Sequence, residues 1–275
     1  MILIFGATGN VGGALLRQLR TAHIPVRALT RDAAKAGFPA GVEVAQGDWS
    51  DPESLTAALS GVEALFLMRC GEEAEVLDRA KQAGVRRVVV LSTIAVETRP
   101  DSMIGRLHAE AERAAQNSGL EWTSLRPGQF MSNTRAWAAQ LAHGDVVRTP
   151  FRDVGLAAVD PADIAAVARV ALTEDGHDGA VHPLSGPAAI TPVAQVAEIG
   201  RAIGRPLRHE EISAEQARAE MTAYMPADIV DATLDFLGSP KPAEVQVHDT
   251  VSAVTGRPAR SFAEWARENA AAFRP

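Results

Sequence analysis

Three glycines near the start of the chain have a spacing that suits the binding of phosphate. Gly6, Gly9 and Gly12 follow the apolar run at 2–5, and an amphipathic segment begins at Asn10. In a strand–turn–helix unit, the first glycine allows the tight turn, the second lets a pyrophosphate approach the backbone, and the third allows the helix to pack closely on the strand. The N–H groups of the helix N-terminus would bind the anion. The motif predicts a dinucleotide site, and a glycine-rich turn without a ligand is the simpler alternative.

The end of the second predicted strand, over 25–31, indicates which dinucleotide would bind. NAD usually requires an acidic residue here, whose carboxylate accepts hydrogen bonds from the ribose hydroxyl groups. This chain has Thr30 and Arg31 instead, and a guanidinium suits a 2′-phosphate. Lys35 could add positive charge, while we expect Asp32 to cap a short following helix. The sequence therefore favours NADP(H) over NAD(H), and a solvated surface arginine is the alternative interpretation of Arg31.

The elements that must position these residues follow a regular pattern. Over the first two thirds of the chain, apolar runs of strand length alternate with amphipathic segments, which is typical of a parallel sheet covered by helices on both faces. The last third is mostly helical, with caps predicted at Asp160, Thr191 and Ser261 and a strand over 206–213 that leaves the main sheet. The predicted fold is α/β, a Rossmann-type doubly wound parallel sheet with a small, mostly helical C-terminal subdomain.

Length and composition limit the class of protein. The chain has 275 residues, 47% of them hydrophobic, which suffices for one large domain with an appendage. We expect an NAD(P)-binding domain over 1–150, with its sheet completed by strands within 151–186, and a substrate-side subdomain over 187–275. The net charge of −7 argues against a nucleic-acid partner, and no apolar run has the length of a membrane span. With one cysteine and no basic leader, we expect a cytoplasmic monomer or homodimer.

Six segments of the chain together resemble the NmrA-like group of atypical short-chain dehydrogenases/reductases. In chain order they are FGATGNVGG, VRALTRD, QGDWSDPESLTAALSGVEALFLM, VVVLSTIA, HAEAERAAQNSGLEWTSLRPGQFMSN and VDPADIAAVA. This group includes NAD(P)H-dependent quinone oxidoreductases and redox-sensing regulators, so the resemblance implies a Rossmann fold and an NAD(P)-dependent function. The resemblance fades after about residue 205.

The resemblance also implies which residues bind the cofactor, all of them at or near the ends of predicted strands. They are Gly6, Thr8, Gly9, Asn10 and Val11 for the pyrophosphate, Arg31 for the 2′-phosphate, Asp48 and Trp49 for the adenine, Phe66, Leu67 and Met68 for the adenosine ribose and diphosphate, Ser92 and Thr93 for the nicotinamide ribose, and Pro127, Gly128, Gln129 and Phe130 for the nicotinamide.

The chain departs from the superfamily at the residues that usually move the proton. Ordinary members have a Tyr, and a Lys four residues later, at the start of the helix after the fifth strand. The corresponding positions here are Ile104 and His108. The one tyrosine is Tyr224, and no lysine lies four residues after it. This argues against a conventional alcohol dehydrogenase, ketoreductase or sugar-nucleotide epimerase.

The chemistry that remains is hydride transfer to an acceptor that needs no strong acid. A reduced quinone spreads its negative charge over an aromatic ring, so water or a weak donor could protonate it. We therefore expect an NADP(H)-dependent oxidoreductase acting on a quinone or another conjugated or aromatic carbonyl. Two alternatives are a non-catalytic NADP(H)-sensing protein and a specialised biosynthetic enzyme acting on an aromatic, polyketide-like product.

Four side chains are candidates for roles on the substrate side. His108 occupies the position of the usual Lys, so we expect it to face the cofactor or the substrate, with a surface histidine as the alternative. Tyr224 is a candidate proton donor, and Phe130 and Trp137 could stack on an aromatic substrate or belong to the core. The scattered histidines lack metal-ligand spacing, so we expect no metal.

Overall fold

The computed structural model describes residues 1–34 and 36–274. Its strands are β1 (Ile2–Ile4), β2 (Val26–Thr30), β3 (Glu43–Gln46), β4 (Ala64–Met68), β5 (Arg87–Leu91), β6 (Glu121–Pro127), β7 (Val146–Thr149), β8 (Ala180–Leu184) and β9 (Arg208–Glu211). Its α-helices are α1 (Asn10–Thr21), α2 (Thr56–Leu59), α3 (Glu73–Gln82), α4 (Ala95–Thr98), α5 (Met103–Asn117), α6 (Ala138–Leu141), α7 (Pro161–Thr173), α8 (Pro192–Ile203), α9 (Ala214–Met221), α10 (Ala227–Gly238), α11 (Pro242–Val245), α12 (Thr250–Thr255) and α13 (Phe262–Glu268). Short 3₁₀ helices cover Pro52–Leu55, Met131–Trp137 and Ala270–Phe273.

Within the described residues, seven strands form one parallel sheet in the order β3-β2-β1-β4-β5-β6-β8. The chain order reverses between β1 and β4, and in doubly wound sheets the ligand crevice opens at this point, beyond the carboxyl ends of the strands. The predicted Rossmann-type parallel sheet is confirmed.

Alternating side chains of the strands form one core on each face of the sheet. From β1, Ile2 and Ile4 pack with helices α1 and α7 on one face. Leu3 and Phe5 point to the other face, where they pack with α3 and α5. Burial on both faces explains why these strands are almost continuously apolar. The two layers of helices hold the carboxyl ends of the strands in fixed positions.

The C-terminal part of the chain is mostly helical, as predicted, and contributes to two further apolar clusters that also take in residues from 131–158. One surrounds the buried Trp265 and joins α8 to α13, and a smaller one joins α9 to α10 around Val230. Strand β9 leaves the main sheet and pairs with β7, as expected for 206–213. The proposed division of the chain at residues 150 and 187 stays a prediction. In the described residues, no helix combines the length and the apolar character needed to cross a bilayer.

Helix caps follow the sequence signals in most places. The Asp160 carboxylate accepts a hydrogen bond from the Ala162 N–H at 2.8 Å, and Ser261 begins a capping box with Glu264. The helix predicted to follow Asp32 is wrong for the described residues. The Asp32 side chain does accept from the Ala34 N–H at 3.2 Å, as it would at a helix N-cap, but the chain at 33–34 and 36 forms a turn and a bend and no helix. Lys35 lies outside the described residues.

Candidate cofactor and substrate site

The glycine-rich turn has the geometry that phosphate binding requires. Gly6 has a φ of +67°, a backbone conformation that favours glycine. A Cβ atom on Gly12 would lie 2.3 Å from the Gly6 carbonyl oxygen, so only glycine allows helix α1 to approach the turn this closely. Helix α1 begins at Asn10, with no side-chain cap and no acidic residue in its first turn. Its first N–H groups and its dipole are therefore available to an anion, and these residues fit a dinucleotide pyrophosphate.

The candidate adenosine residues lie together beyond β2 and β3. The Arg31 guanidinium carbon lies 6.0 Å from the centre of the Trp49 ring, which in turn stacks against Phe5. Two hydrogen bonds from Ser50, together with the charge of Arg31, hold the pKa of the Asp48 carboxyl below its usual range. This part of the site presents an aromatic face with one cation and one anion beside it.

The next strand ends contribute to the crevice unequally. Phe66 and Leu67 of β4 are buried in the two cores, so their side chains do not face the crevice, whereas Met68 lies against Gly6. Beyond β5, Ser92 is 4% exposed and its hydroxyl has no hydrogen-bond partner among the described residues. An orphaned hydroxyl at this strand end fits a ribose hydroxyl, which is the role that the sequence resemblance implies for Ser92.

A cleft of about 420 Å³ opens beyond the ends of β5 and β6, between the sheet and helix α10. The sheet side of the cleft is formed by the loops after these strands and by the start of α5. The residues that line it on this side include Thr93, Ala95, Ile104, Gly128, Gln129 and Asn133, and those opposite include Ala232, Thr233, Asp235, Phe236 and Lys241. The cleft is therefore open to a small molecule and has polar and apolar walls.

Two hydrogen-bond donors on the sheet side of the cleft remain available to a ligand. The Asn133 side-chain amide donates to Gln129 Oε1 at 2.9 Å, which leaves the Gln129 amide N–H groups for another acceptor. The Thr93 hydroxyl accepts from the Ala95 N–H at 3.3 Å, and among the described residues its own hydrogen has no acceptor. These donors could polarise a carbonyl oxygen in the cleft.

Helix α5 places Ile104 and His108 differently. The helix is capped by Ser102, whose hydroxyl accepts from the Gly105 N–H at 3.0 Å, and Ile104 in its first turn lines the cleft. His108 does not line the cleft, and its Nδ1–H donates to the Ile104 carbonyl at 2.9 Å. Burial, with Arg69 adding to it, lowers the pKa of His108 below its usual value, although the hydrogen bond to the Ile104 carbonyl and the charge of Glu112 oppose this. The imidazole is therefore neutral at neutral pH, and no hydrogen bond to its Nε2 is found among the described residues.

Each of the other substrate-side candidates lies in a different environment. Tyr224 is 70% exposed and is not among the residues that line the cleft, so its role as a proton donor stays a prediction. Trp137 packs against the cluster around Trp265, which favours the core interpretation. Phe130 is partly buried against the core of the α1 face, and the loop around it is fixed where the Met131 N–H donates to the Val159 carbonyl at 2.9 Å. In the part of the chain that is described, no three His, Cys, Asp or Glu side chains gather to hold a metal ion.

Sequence reasoning missed a buried ion pair next to the cleft. Glu244, whose side chain is 0% exposed, accepts from Arg99 Nε at 2.7 Å and from the Thr98 hydroxyl at 2.7 Å. Burial alone would raise the pKa of Glu244, but these bonds and the Lys241 N–H outweigh burial and hold the pKa below its usual range. Arg99 also pairs with Asp235 of α10, so this network fixes the wall of the cleft opposite the sheet.

Comparison with known proteins identifies the family of the chain. A family profile described as NAD(P)H-binding matches residues 6–175. The chain is 43% identical over 283 residues to the (4-alkanoyl-5-oxo-2,5-dihydrofuran-3-yl)methyl phosphate reductase of Streptomyces griseus, with 100% of each chain covered. It is 38% identical over 283 residues to the NAD(P)H azoreductase of Xenophilus azovorans, with 99% of each covered.

A solved structure also matches the chain over nearly its full length. The NADPH-dependent quinone oxidoreductase of Escherichia coli in complex with NADPH matches with a TM-score of 0.81 and 31% identity, covering 98% of this chain and 99% of that one. The resemblance to NmrA-like proteins is confirmed, and close relatives over the whole length are reductases. The chain therefore belongs to the NAD(P)H-binding family and is an NAD(P)H-dependent oxidoreductase.

Proposed function

We propose that this enzyme uses NADPH to reduce a conjugated carbonyl compound, either a quinone or an α,β-unsaturated carbonyl, without a protein side chain as a strong acid. The observation that carries the proposal is Ile104. It lines the cleft at the position where the superfamily has its tyrosine, so the cleft has an apolar side chain where an acid is expected.

Two of the relatives point to the same class of acceptor, whereas a third, the azoreductase, is named for a different one. The name of the Streptomyces griseus reductase describes a ring C=C bond conjugated with two carbonyl groups, and the Escherichia coli relative is a quinone oxidoreductase. In both kinds of compound, the anion that forms after hydride addition is spread over a conjugated system. Such an anion is a weak base, so water can supply its proton. An isolated ketone would instead form a strongly basic alkoxide and would need the missing tyrosine.

The chain's own residues would bind and polarise the acceptor. When bound, NADPH supplies a hydride, which carries both electrons and one hydrogen, and water supplies the second hydrogen as a proton. The Thr93 hydroxyl and the Gln129 amide would donate to the acceptor's carbonyl oxygen, where negative charge develops. Ile104 and Phe236 would give the cleft apolar walls that position a flat, conjugated ring.

The preference for NADPH over NADH rests on Arg31. Its side chain lies beside Trp49, so a bound adenine could lie near the ring while the guanidinium reaches a 2′-phosphate. With Thr30 at the end of β2, no carboxylate occupies the position that usually binds the ribose hydroxyls of NAD.

The test is a panel of acceptors with the purified protein, in which the fall of NADPH absorbance reports turnover. We expect turnover with a simple quinone or with an α,β-unsaturated lactone, and none with a saturated ketone of the same size. Gln129→Leu and Thr93→Val should each lower kcat about tenfold or more, since each removes one carbonyl donor. Binding of NADPH without turnover of any acceptor would contradict the proposal and favour a cofactor sensor.

A further inference from the structure

Phe236 is an aromatic side chain in the wall of the cleft that helix α10 forms. Among the described residues that line the cleft, it is the aromatic one, and it is half-buried. It lies in the last turn of α10, while Ile104 lines the cleft from the sheet side. The wall opposite the loop after β6 therefore contains an aromatic ring.

The guanidinium of Arg99 lies over one face of this ring. Its Cζ atom is 5.7 Å from the centre of the Phe236 ring, which is the geometry of a cation–π contact. The side chain of Arg99 is 10% exposed, so the contact is largely shielded from water. Because the guanidinium occupies one face, Phe236 has its opposite face and its edge left for other contacts.

Hydrogen bonds fix the plane of the Arg99 guanidinium. Its Nε and Nη2 donate to the two oxygens of the buried Glu244 at 2.7 and 2.9 Å. Nη2 also donates to the Ser239 carbonyl at 2.9 Å, and Nη1 donates to the Asp235 carboxylate. Asp235 and Ser239 lie at the end of α10, where the helix dipole favours a cation. Arg99 therefore holds the last turn of α10, and Phe236 with it, in place.

A second contact holds the end of α10. A Cβ atom on Gly238 would lie 2.5 Å from the Phe151 ring, so this ring packs directly on the backbone of the helix. Phe151 itself has a φ of +58°, a strained conformation for a residue other than glycine. Such strain persists only where the surrounding structure fixes it. The last turn of α10 is held by Phe151 as well as by Arg99, so the Phe236 ring has a defined position before any ligand binds.

We propose, on the basis of the proposed function, that the ring of the acceptor stacks on Phe236 and that Arg99 is the positioning residue that holds Phe236 in place. A flat cyclic acceptor presents a large π-face to Phe236, whereas an open-chain enone presents a much smaller one. The substrate class is thereby narrowed to flat rings, such as quinones and unsaturated lactones. Open-chain enones would bind more weakly because they lack this contact.

The test measures acceptor binding to the enzyme saturated with NADP⁺, which has no hydride to give, so the result does not depend on turnover. The probes are duroquinone, a flat ring, and 4-methylpent-3-en-2-one, an open-chain enone, and calorimetry gives each Kd. Phe236→Leu should raise the duroquinone Kd about three- to tenfold and the enone Kd less than twofold. Phe236→Tyr keeps the ring and should bind duroquinone as the wild type does. Phe273→Leu, the same substitution in the cluster around Trp265, is the matched control and should change neither Kd.

Two further variants test whether Arg99 acts through Phe236. Arg99→Lys keeps a charge beside Glu244 but lacks the planar fork, so the duroquinone Kd should rise severalfold. Combined with Phe236→Leu it should bind duroquinone no more weakly than Phe236→Leu alone, since both changes remove one contact. Asp235→Ala, at a side chain that is 64% exposed, cuts the link to α10 with little change in Tm and should show the same selective loss.

The outcomes separate this inference from the proposed function. No binding of duroquinone by the wild type, or an unchanged duroquinone Kd in Phe236→Leu, would overturn the stacking role. Additive losses in the double variant, or equal losses for both probes in Asp235→Ala, would overturn the positioning role of Arg99. The selective loss in Phe236→Leu without turnover of any acceptor would support the stacking role and contradict the proposed function.

Discussion

Replacing Arg99 by Met should destabilise the protein strongly, because it leaves a buried carboxylate without its cation. Glu244 would lose the bonds from Arg99 Nε at 2.7 Å and Nη2 at 2.9 Å. Among the described residues, it would retain the Thr98 hydroxyl at 2.7 Å and the Lys241 N–H at 2.8 Å as its donors. Breaking a buried pair from one side costs about 3–5 kcal/mol, and at about 2–4 °C per kcal/mol for a chain of this size Tm should fall by roughly 6–20 °C.

The pKa of Glu244 gives this prediction a pH dependence. In the folded protein the pKa of Glu244 is below its ordinary value of 4.5, so the ionised group contributes stability above that pH. The contribution is lost as the pH falls from 4.5 through the lower folded value. In Arg99→Met the pKa should rise, so this source of acid sensitivity should disappear. Thermal unfolding at neutral and at acidic pH measures both effects.

Two further variants control the experiment. Arg99→Met with Glu244→Gln should recover part of the lost Tm, since the neutral amide needs no cation. Arg79→Met breaks an exposed pair with Glu75 at 3.0 Å and should cost only about 0–1 kcal/mol. The reasoning is refuted if Arg99→Met and Arg79→Met have the same Tm, or if the double variant is no more stable than Arg99→Met alone.

Four other substitutions test the site. His108→Ala should raise the NADPH Kd a few-fold. Because the pKa of His108 is lowered in the folded protein, the unfolded chain binds a proton more readily, so the stability of the wild type should fall below about pH 6.5 and that of the variant should fall less. A wild-type Kd with an unchanged pH profile would return His108 to an ordinary surface role. Gly12→Ala should weaken cofactor binding and lower the unfolding free energy by about 1–3 kcal/mol, whereas Gly144→Ala, with open space around it, should change neither quantity. Equal melting curves for the two variants would contradict the close approach of α1 to the turn. Arg31→Ala should raise the NADPH Kd about tenfold and leave the NADH Kd unchanged. An equal loss of affinity for both cofactors would show that Arg31 does not bind the 2′-phosphate. Tyr224→Phe should leave turnover unchanged because the side chain is 70% exposed, and a large fall in kcat would instead make it the proton donor.

Local signals account for the parts of the structure that were predicted correctly. The apolar strands buried on both faces, the glycine-rich turn and the caps at Asp160 and Ser261 each depend on residues a few positions apart. Such patterns can be interpreted along the sequence because neighbouring residues determine them. After Asp32 no helix forms in the described residues although the aspartate makes a cap-like hydrogen bond, so a cap signal alone does not produce a helix.

The interactions that complete the site have no local signal. Arg99 meets Glu244 across 145 positions and Asp235 across 136. Nothing in the sequence around this arginine distinguishes it from the many surface arginines of the chain. Folding brings these pairs together, so only the three-dimensional arrangement reveals them.

The most direct test of the central claim follows the hydride itself. NADPH with deuterium at C4 is mixed with the enzyme and an α,β-unsaturated carbonyl compound, and the product is analysed by NMR and mass spectrometry. We predict deuterium at the β-carbon of the product, a second hydrogen from water, and no labelled alcohol from a saturated ketone. Transfer of the label to the saturated ketone at a comparable rate, or no transfer to any conjugated acceptor, would contradict the account.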